Sequence, residues 1–150
     1  MSTGNRVDCL FCRIAAGEKP AAIVLEDERF VAFLDHRPLF PGHCLLIPKT
    51  HYETLADLPP HESAPLVANT QLLCSALESE LGAEGTFVAI NNRISQSVPH
   101  LHVHVAPRRR KDGLRGFFWP RGRYPDENEM ERVRSSLADA ISRLKERKTL

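Results

Sequence analysis

Residues 99–107 constrain the fold more than any other stretch, because three histidines alternate there with aliphatic side chains. Successive side chains of a β-strand point to opposite faces, so the alternation puts the imidazoles on one face and the aliphatic groups on the other. The aliphatic face can join a hydrophobic core, whereas packing alone does not explain a row of imidazoles. We therefore expect a β-strand here, with a chemically active face formed by His100, His102 and His104.

The composition predicts one domain with no general affinity for polyanions. The 150 residues include 20 Lys and Arg against 19 Asp and Glu, a balance that argues against nucleic acid or a membrane surface as a partner. The sequence has no run of about 18 or more apolar residues and no apolar signal core, which predicts a cytoplasmic location. We expect a single domain over residues 1–150, with a flexible segment at 1–8 and a C-terminal extension with a helix at 108–150.

Hydrophobic periodicity predicts further strands and helices. Four short strands are expected over residues 22–26, 30–34, 43–47 and 86–90. A short helix follows the first cysteine, a longer one carries an apolar face from Leu66 to Leu81 and ends at Gly82, and a last one opens at Pro125-Asp126. Without regular strand–helix alternation, this order predicts an α+β domain, a five-stranded antiparallel sheet with a long central helix and a C-terminal helix.

The four cysteines divide into a pair and two isolated residues. Cys9 and Cys12 form a Cys-x-x-Cys sequence, whereas Cys44 and Cys74 lie in apolar runs. In a reducing compartment this distribution favours half of a metal site near the N-terminus and two buried structural thiols over a disulfide framework. A pair of free thiols is the alternative for Cys9 and Cys12.

The loop directly before the histidines, residues 91–98, reads Asn-Asn-Arg-Ile-Ser-Gln-Ser-Val. Its side chains and loop N–H groups are donors for a phosphate oxygen, although in isolation such a loop is also a simple polar turn. Imidazole, with an ordinary pKa of about 6.5, is nucleophilic at neutral pH without a separate base. A second imidazole two residues away can assist proton transfer. The loop and the histidines together predict chemistry at a phosphate group.

The segment His100 to Ala106 matches the histidine triad (HIT) signature, in which two hydrophobic residues follow three alternating histidines. Further similar stretches occur in family order, at residues 9–14, 16–18, 26–28, 32–35, 41–43, 46–52 and 96–98. The chain thus resembles the Hint-like members of the HIT family. The resemblance implies a HIT-like α+β fold whose sheet extends across a homodimer. It also implies a nucleotidyl hydrolase or transferase that cleaves AMP or GMP from a phosphoramidate or phosphoanhydride through a covalent nucleotidyl-histidine intermediate.

The same resemblance implies roles for individual residues. Carried over position by position, His102 is the nucleophile, His104 contacts the phosphate and assists proton transfer, and His43 faces the same site. Asp35 corresponds to the acidic residue that binds the ribose hydroxyls. The other expected contacts to a purine nucleotide border the base or line the phosphate and leaving-group side, and they are Phe33, His36, Asn91, Gln96 and Ser97.

A mainly bacterial subset of the family binds a structural zinc ion, and its ligand positions are present as Cys9, Cys12, His51 and His100. Two thiolates and two imidazoles suit tetrahedral Zn²⁺. The resemblance therefore implies one structural zinc ion per chain, and we expect no organic cofactor. It also implies different roles for two histidines of the triad, with His100 as a metal ligand and His102 as the nucleophile.

Three departures from the family pattern lie in the loop before the triad. Ser95 stands where the family commonly has glycine, Arg93 stands where the loop often has another, and the loop is shorter than is common in the family. Glycine would permit a positive φ and close approach to a ligand, so the conformation of this loop is open at the level of sequence.

Other interpretations remain open. One alternative with the same chemistry is a dinucleoside polyphosphate hydrolase or phosphorylase. An alternative from a different class is a nucleotide-binding module with vestigial catalysis. A zinc-dependent nucleic-acid binder is opposed by the near-neutral charge. After the triad, the cationic run 108–111 is typical of a solvated face, although a polyphosphate could use it, and the aromatic density of residues 116–121 is typical of a docked segment.

Overall fold

The structure is a computed structural model that describes residues 8–114 and 122–149. The chain divides into two compact units, one ending at Asp112 and the other beginning at Gly113. The first contains α1 (Leu10–Ala15), β1 (Ile23–Glu26), β2 (Phe30–Leu34), β3 (Cys44–Pro48), a 3-10 turn (Leu55–Asp57), α2 (Pro60–Leu81), β4 (Gly85–Ala89) and β5 (Val103–Arg108), and the second contains α3 (Glu127–Thr149). The expected flexible segment, apart from Asp8, and the aromatic stretch 116–121 lie outside the described residues.

The five strands form one antiparallel sheet in the order β1-β2-β3-β5-β4, which confirms the predicted α+β class. Side chains alternate between two apolar clusters, one on each face. On β2, Phe30 and Ala32 join the cluster packed against α2, whereas Val31 and Phe33 join a cluster that includes Phe11 of α1. Because both faces are covered, β2 and β3 are apolar throughout rather than alternating with polar residues.

The histidine segment carries the main correction. The strand predicted over residues 99–107 is wrong at its start, because β5 and its pairing with β3 begin only at Val103. His100 and His102 therefore precede the strand. The alternation of faces nevertheless extends back through them, since Leu101 joins the cluster packed against α2 while both histidines contact Phe11 on the other face. The bounds of the other strands differ from prediction by at most one residue, the usual ambiguity at strand ends.

Helix α2 begins at Pro60, earlier than its apolar periodicity indicates, because proline suits the first turn of a helix. It ends as predicted at Gly82, which has a left-handed φ of 62°. Gly42 sets how closely α2 approaches the loop before β3. It has a φ of 104°, and a Cβ there would lie only 2.4 Å from Cδ1 of Leu81, so that loop requires glycine.

The cationic run 108–111 stabilises the fold rather than forming a purely solvated face. Arg108 forms an ion pair with Asp112, with Nε 2.5 Å from Oδ2. The guanidinium of Arg109 donates to the carbonyl oxygens of Leu81 and Gly82, which would otherwise be unpaired at the end of α2. Nε of Arg110 lies 3.4 Å from a carboxylate oxygen of Glu84.

In the second unit, Oδ1 of Asp126 accepts the backbone N–H of Glu129 at 2.8 Å, so Asp126 caps α3 where the last helix was expected to open. Of the helices in residues 8–114 and 122–149, none is both long and apolar enough to cross a membrane.

Candidate metal and nucleotide site

The Cys-x-x-Cys pair meets two histidines from distant parts of the chain. Cys9 Sγ lies 3.4 Å from Nδ1 of His100, and Cys12 Sγ lies 3.2 Å from Nδ1 of His51. The two Nδ1 atoms are 3.2 Å apart, and all four ligand atoms lie within 4.8 Å of one another. The structure therefore brings together every residue predicted as a metal ligand, which we call the metal cluster.

The spacing of the metal cluster fits a tetrahedral ion. Bond lengths of about 2.3 Å to sulfur and about 2.05 Å to nitrogen, at tetrahedral angles, separate sulfur from nitrogen by roughly 3.6 Å and two nitrogens by roughly 3.3 Å. The sulfur–nitrogen distances from Cys9 to His100 and from Cys12 to His51 and His100 run from 3.2 to 3.5 Å. Two thiol and two imidazole donors at these distances form a set that Zn²⁺ can fill without rearrangement of the backbone.

His100 has only one ring nitrogen available to a metal. Its Nε2 lies 2.7 Å from the carbonyl oxygen of Pro48, and since a carbonyl only accepts, Nε2 carries the hydrogen. The lone pair is therefore on Nδ1, the atom that faces the two cysteines. Burial lowers the pKa of His100 to about 4, helped by His51 and His102 and opposed by the hydrogen bond to Pro48. The ring is neutral at neutral pH, as metal coordination requires.

A second cluster contains Asp35, His43 and His104. The backbone N–H of Leu39 donates to Nδ1 of His43 at 3.1 Å, so the hydrogen of this ring is on Nε2. Nε2 lies 3.0 Å from Nδ1 of His104 and donates to it. By the same reasoning His104 carries its own hydrogen on Nε2, which is left as a donor for a ligand.

Burial keeps the rings of His43 and His104 neutral. It lowers the pKa of His104 to about 4, with His102 and His43 acting in the same direction and Asp35 against them. Burial also lowers the pKa of His43, again opposed by Asp35, whose Oδ2 lies 3.9 Å from its Nδ1. A neutral His104 at neutral pH is a hydrogen-bond donor rather than a strong acid.

His102 lies beside the hydrogen-bonded pair of His43 and His104, and its ring centroid is 4.9 Å from that of His104. Its Nδ1 is 2.7 Å from the carbonyl oxygen of His100 and carries the hydrogen. The lone pair is therefore on Nε2, where a nucleophile needs it. We call Asp35, His43, His102 and His104 the catalytic cluster.

The residues expected around the base and ribose differ in their exposure and in their contacts. Asp35 contacts His43 and also accepts the backbone N–H of Arg37 at 2.9 Å. Phe33 is only 4% exposed and packs edge-on against Phe11, so it supports the site from beneath. The side chain of His36 is 87% exposed, with Nδ1 3.9 Å from Asp35.

The loop before the triad is braced by Gln96. Its amide nitrogen donates to the carbonyl oxygen of Glu53 at 2.6 Å, and its amide oxygen accepts the backbone N–H of Arg93 at 2.9 Å. Gln96 thus has its polar atoms engaged by the loop and by the segment at Glu53. Asn91 is half-buried and Ser97 is exposed. Arg93 and Ser95 adopt φ values of 69° and 58°, so the loop takes left-handed turns without glycine.

Sequence reasoning missed three groups that set the chemistry of the histidines. They are the carbonyl of Pro48, the backbone N–H of Leu39 and the ring of Phe11. The first two are main-chain groups with no sequence signal. Phe11 is the exception, because an aromatic residue inside the Cys-x-x-Cys pair has to lie beside whatever the pair binds.

Comparison with known proteins identifies the family of the chain. The model of the HIT domain matches residues 16–111. A Streptococcus mutans protein of known structure is 32% identical, with a TM-score of 0.84 over 94% of this chain and 90% of its own. A zinc-bound histidine triad family protein from Mycobacterium smegmatis is 41% identical, with a TM-score of 0.68 over 92% of this chain and 99% of its own.

The Arabidopsis thaliana adenylylsulfatase HINT3 is 37% identical over 109 residues, which are 71% of this chain and 55% of that protein. The chain therefore matches only about half the length of this relative. The domain match covers more than half of the chain and includes the histidines of the catalytic cluster. The chain belongs to the HIT domain family.

Proposed function

We propose that the protein is a nucleotidyl hydrolase or transferase that releases a nucleoside 5′-monophosphate from a phosphoramidate or phosphoanhydride. The observation that carries this proposal is the hydrogen-bond order of the catalytic cluster. It leaves a lone pair on Nε2 of His102 and a hydrogen on Nε2 of the adjacent His104. A nucleophile and a donor for a phosphate oxygen thereby lie side by side.

In the first step Nε2 of His102 attacks the phosphorus and a nitrogen–phosphorus bond forms. The bond to the leaving group breaks, and the leaving group takes the electron pair of that bond and a proton from solvent. The hydrogen of His102 stays on Nδ1 and is donated to the carbonyl oxygen of His100, which offsets the positive charge that develops on the ring. His104 donates from Nε2 to a phosphate oxygen. In the second step water attacks the same phosphorus and gives up a proton to solvent. The nitrogen–phosphorus bond breaks with its electron pair returning to Nε2, and the mononucleotide leaves with His102 restored.

Around this step we assign the purine nucleotide to the surface that Asp35 and His36 border, with the Asp35 carboxylate accepting the ribose hydroxyls. Asn91 and Ser97 are the loop side chains assigned to the leaving-group side, and Gln96 holds that loop in shape. We further propose one structural zinc ion per chain in the metal cluster, a homodimer, and a cytoplasmic location. The name of the Arabidopsis relative favours an adenylyl group as the transferred unit.

The test is turnover of adenosine and guanosine phosphoramidates, adenylyl sulfate and dinucleoside polyphosphates, combined with intact-protein mass spectrometry after rapid quenching. We expect a mass increase of one nucleotidyl group on wild-type protein and none on His102→Ala, which should lose at least about 10³-fold in kcat. His61→Ala is the matched control, because His61 is an exposed histidine on α2 outside both clusters. Normal turnover by His102→Ala would contradict the mechanism. Nucleotide binding without turnover on any substrate would favour the binding-module alternative.

A further inference from the structure

Phe11 joins the metal cluster to the nucleophile. It lies between Cys9 and Cys12 on α1 and is only 5% exposed. Its ring centroid is 5.1 Å from that of His102, at an interplanar angle of 86°, and 6.0 Å from that of His100. These edge-to-face distances fall in the range of favourable aromatic contacts. One side chain of the cysteine segment therefore touches both the metal-binding and the reactive imidazole.

The sheet does not fix His102. Pairing between β3 and β5 begins at Val103, so the nucleophile lies just outside the regular ladder. The chain is held there by the N–H of Leu101, which donates to the carbonyl oxygen of Tyr52 at 2.6 Å. The single hydrogen bond from Nδ1 to the His100 carbonyl leaves the ring free to tilt about that bond. Packing against Phe11 on one side and His104 on the other has to set the tilt.

Helix α1 cannot hold Phe11 in place by itself. It has six residues, too few for a stable helix in water, and its N-cap is Cys9, whose sulfur accepts the N–H of Cys12 at 3.4 Å. An ion bound by both sulfurs and by His51 and His100 would tie this turn to the segments on either side of it. The position of Phe11 thus depends on the metal cluster.

We propose that Phe11 is a positioning residue, through which the occupied metal cluster orients the His102 imidazole for attack. A structural metal is then also a condition for a productive nucleophile. The effect on turnover rests on the proposed function, whereas the effect on the His102 ring does not.

The kinetic test compares Phe11→Leu with Ile14→Ala in zinc-loaded protein. Ile14 is the matched control, because it is buried on the same helix and in the same apolar cluster but has no ring to place against His102. We expect Phe11→Leu to lower kcat about tenfold with KM changed less than twofold, the scale typical of lost supporting contacts. Ile14→Ala should lower stability at least as much while keeping kcat within about twofold. A rise in KM at unchanged kcat would overturn the proposal, since Phe11 would then act on the substrate.

A second measurement needs no substrate. In protein with isotope-labelled histidine, NMR should find the His102 ring of the wild type and of Ile14→Ala in one orientation, with close NOE contacts to His104, and the His102 ring of Phe11→Leu in several orientations, with weaker contacts. Cys12→Ser, which removes one metal ligand, should shift the His102 signals in the same direction, and combining it with Phe11→Leu should add little. Unchanged His102 signals in Phe11→Leu would overturn the inference, even if His102→Ala had already abolished turnover. Conversely, normal turnover by His102→Ala would defeat the proposed function and leave this measurement interpretable.

Discussion

His100 and His102 are two residues apart on one face of the chain, yet they present opposite ring nitrogens. In His100 the Pro48 carbonyl engages Nε2 and leaves Nδ1 for the metal cluster. In His102 the His100 carbonyl engages Nδ1 and leaves Nε2 for the catalytic cluster. The comparison teaches that a main-chain acceptor, rather than the identity of the side chain, decides which ring nitrogen an imidazole presents: Nδ1 toward the metal cluster in His100 and Nε2 toward the catalytic cluster in His102.

The two clusters should therefore fail in different ways. The metal cluster gathers ligands from four separated positions and ties α1 to the residues before β5, so its loss should affect folding first. The catalytic cluster follows β2, precedes β3 and lies on or just before β5, so its loss should affect turnover first. Substitutions in either cluster, and one in the loop that leads into both, test this difference.

The largest expected effect is on stability, from breaking the metal cluster. Cys9→Ser should lower the free energy of unfolding by more than about 5 kcal/mol in the presence of zinc, because structural zinc sites contribute much of the folding energy of the segments they join. Urea unfolding with and without a chelator measures the change, and metal analysis should give about one zinc per wild-type chain. Cys74→Ser, at a half-buried cysteine outside the cluster, is the control. Equal losses in the two variants would contradict a structural metal.

The next effect is on turnover, from breaking the catalytic cluster. His43→Asn removes the donor that fixes the tautomer of His104, so kcat should fall by about 10²- to 10³-fold, within the range of lost acid–base or electrostatic assistance. Steady-state kinetics on the best substrate of the panel measures the loss. The zinc content should stay that of the wild type, since His43 lies outside the metal cluster. Loss of zinc together with activity would mean that the two clusters are one site.

The sequence predicted where the chemistry lies better than how each group performs it. Alternation assigned the three histidines to one face, for which residue type and spacing suffice, whereas only the resemblance to the HIT family separated Cys9, Cys12, His51 and His100 from the rest. The start of β5 at Val103 was not predictable, since two of the N–H groups before it are satisfied outside the sheet, that of His100 by the Val98 carbonyl and that of Leu101 by the Tyr52 carbonyl. The bracing role of Gln96 was not predictable either, because its partners, the Glu53 carbonyl and the Arg93 N–H, are main-chain groups that only the fold brings close to it.

The catalytic cluster should also make stability depend on pH. The pKa of His104 is lowered to about 4 in the folded protein, while an unfolded histidine titrates at about 6.5, so the unfolded chain binds more protons between these values. The contribution of His104 to the free energy of unfolding is therefore complete above about pH 6.5. It falls as the pH drops and levels off below about pH 4, and the total change is up to about 3 kcal/mol.

Asp35, His43 and His102 face the same ring, so the difference between wild type and His104→Gln isolates the share of His104. Urea unfolding of both proteins from pH 4 to 7 should give a shallower slope for the variant. His61→Gln, at an exposed histidine, should keep the wild-type slope. Parallel curves for wild type and His104→Gln would contradict a buried, neutral His104.

The smallest expected effect lies in the loop that leads into both clusters. Ser95 has a φ of 58°, a conformation that costs a residue with a Cβ roughly 1 kcal/mol and costs glycine almost nothing. Part of that gain is offset by the greater freedom of glycine in the unfolded chain, so Ser95→Gly should raise the free energy of unfolding by about 0.5 kcal/mol. Ser97→Gly is the matched control, because Ser97 is exposed in the same loop and is outside the set of left-handed residues. Ser97→Gly should lower the free energy of unfolding by a similar amount. A gain at Ser95 and a loss at Ser97 would then show that the left-handed turn is at Ser95. A loss of stability in both variants would place Ser95 in ordinary backbone geometry.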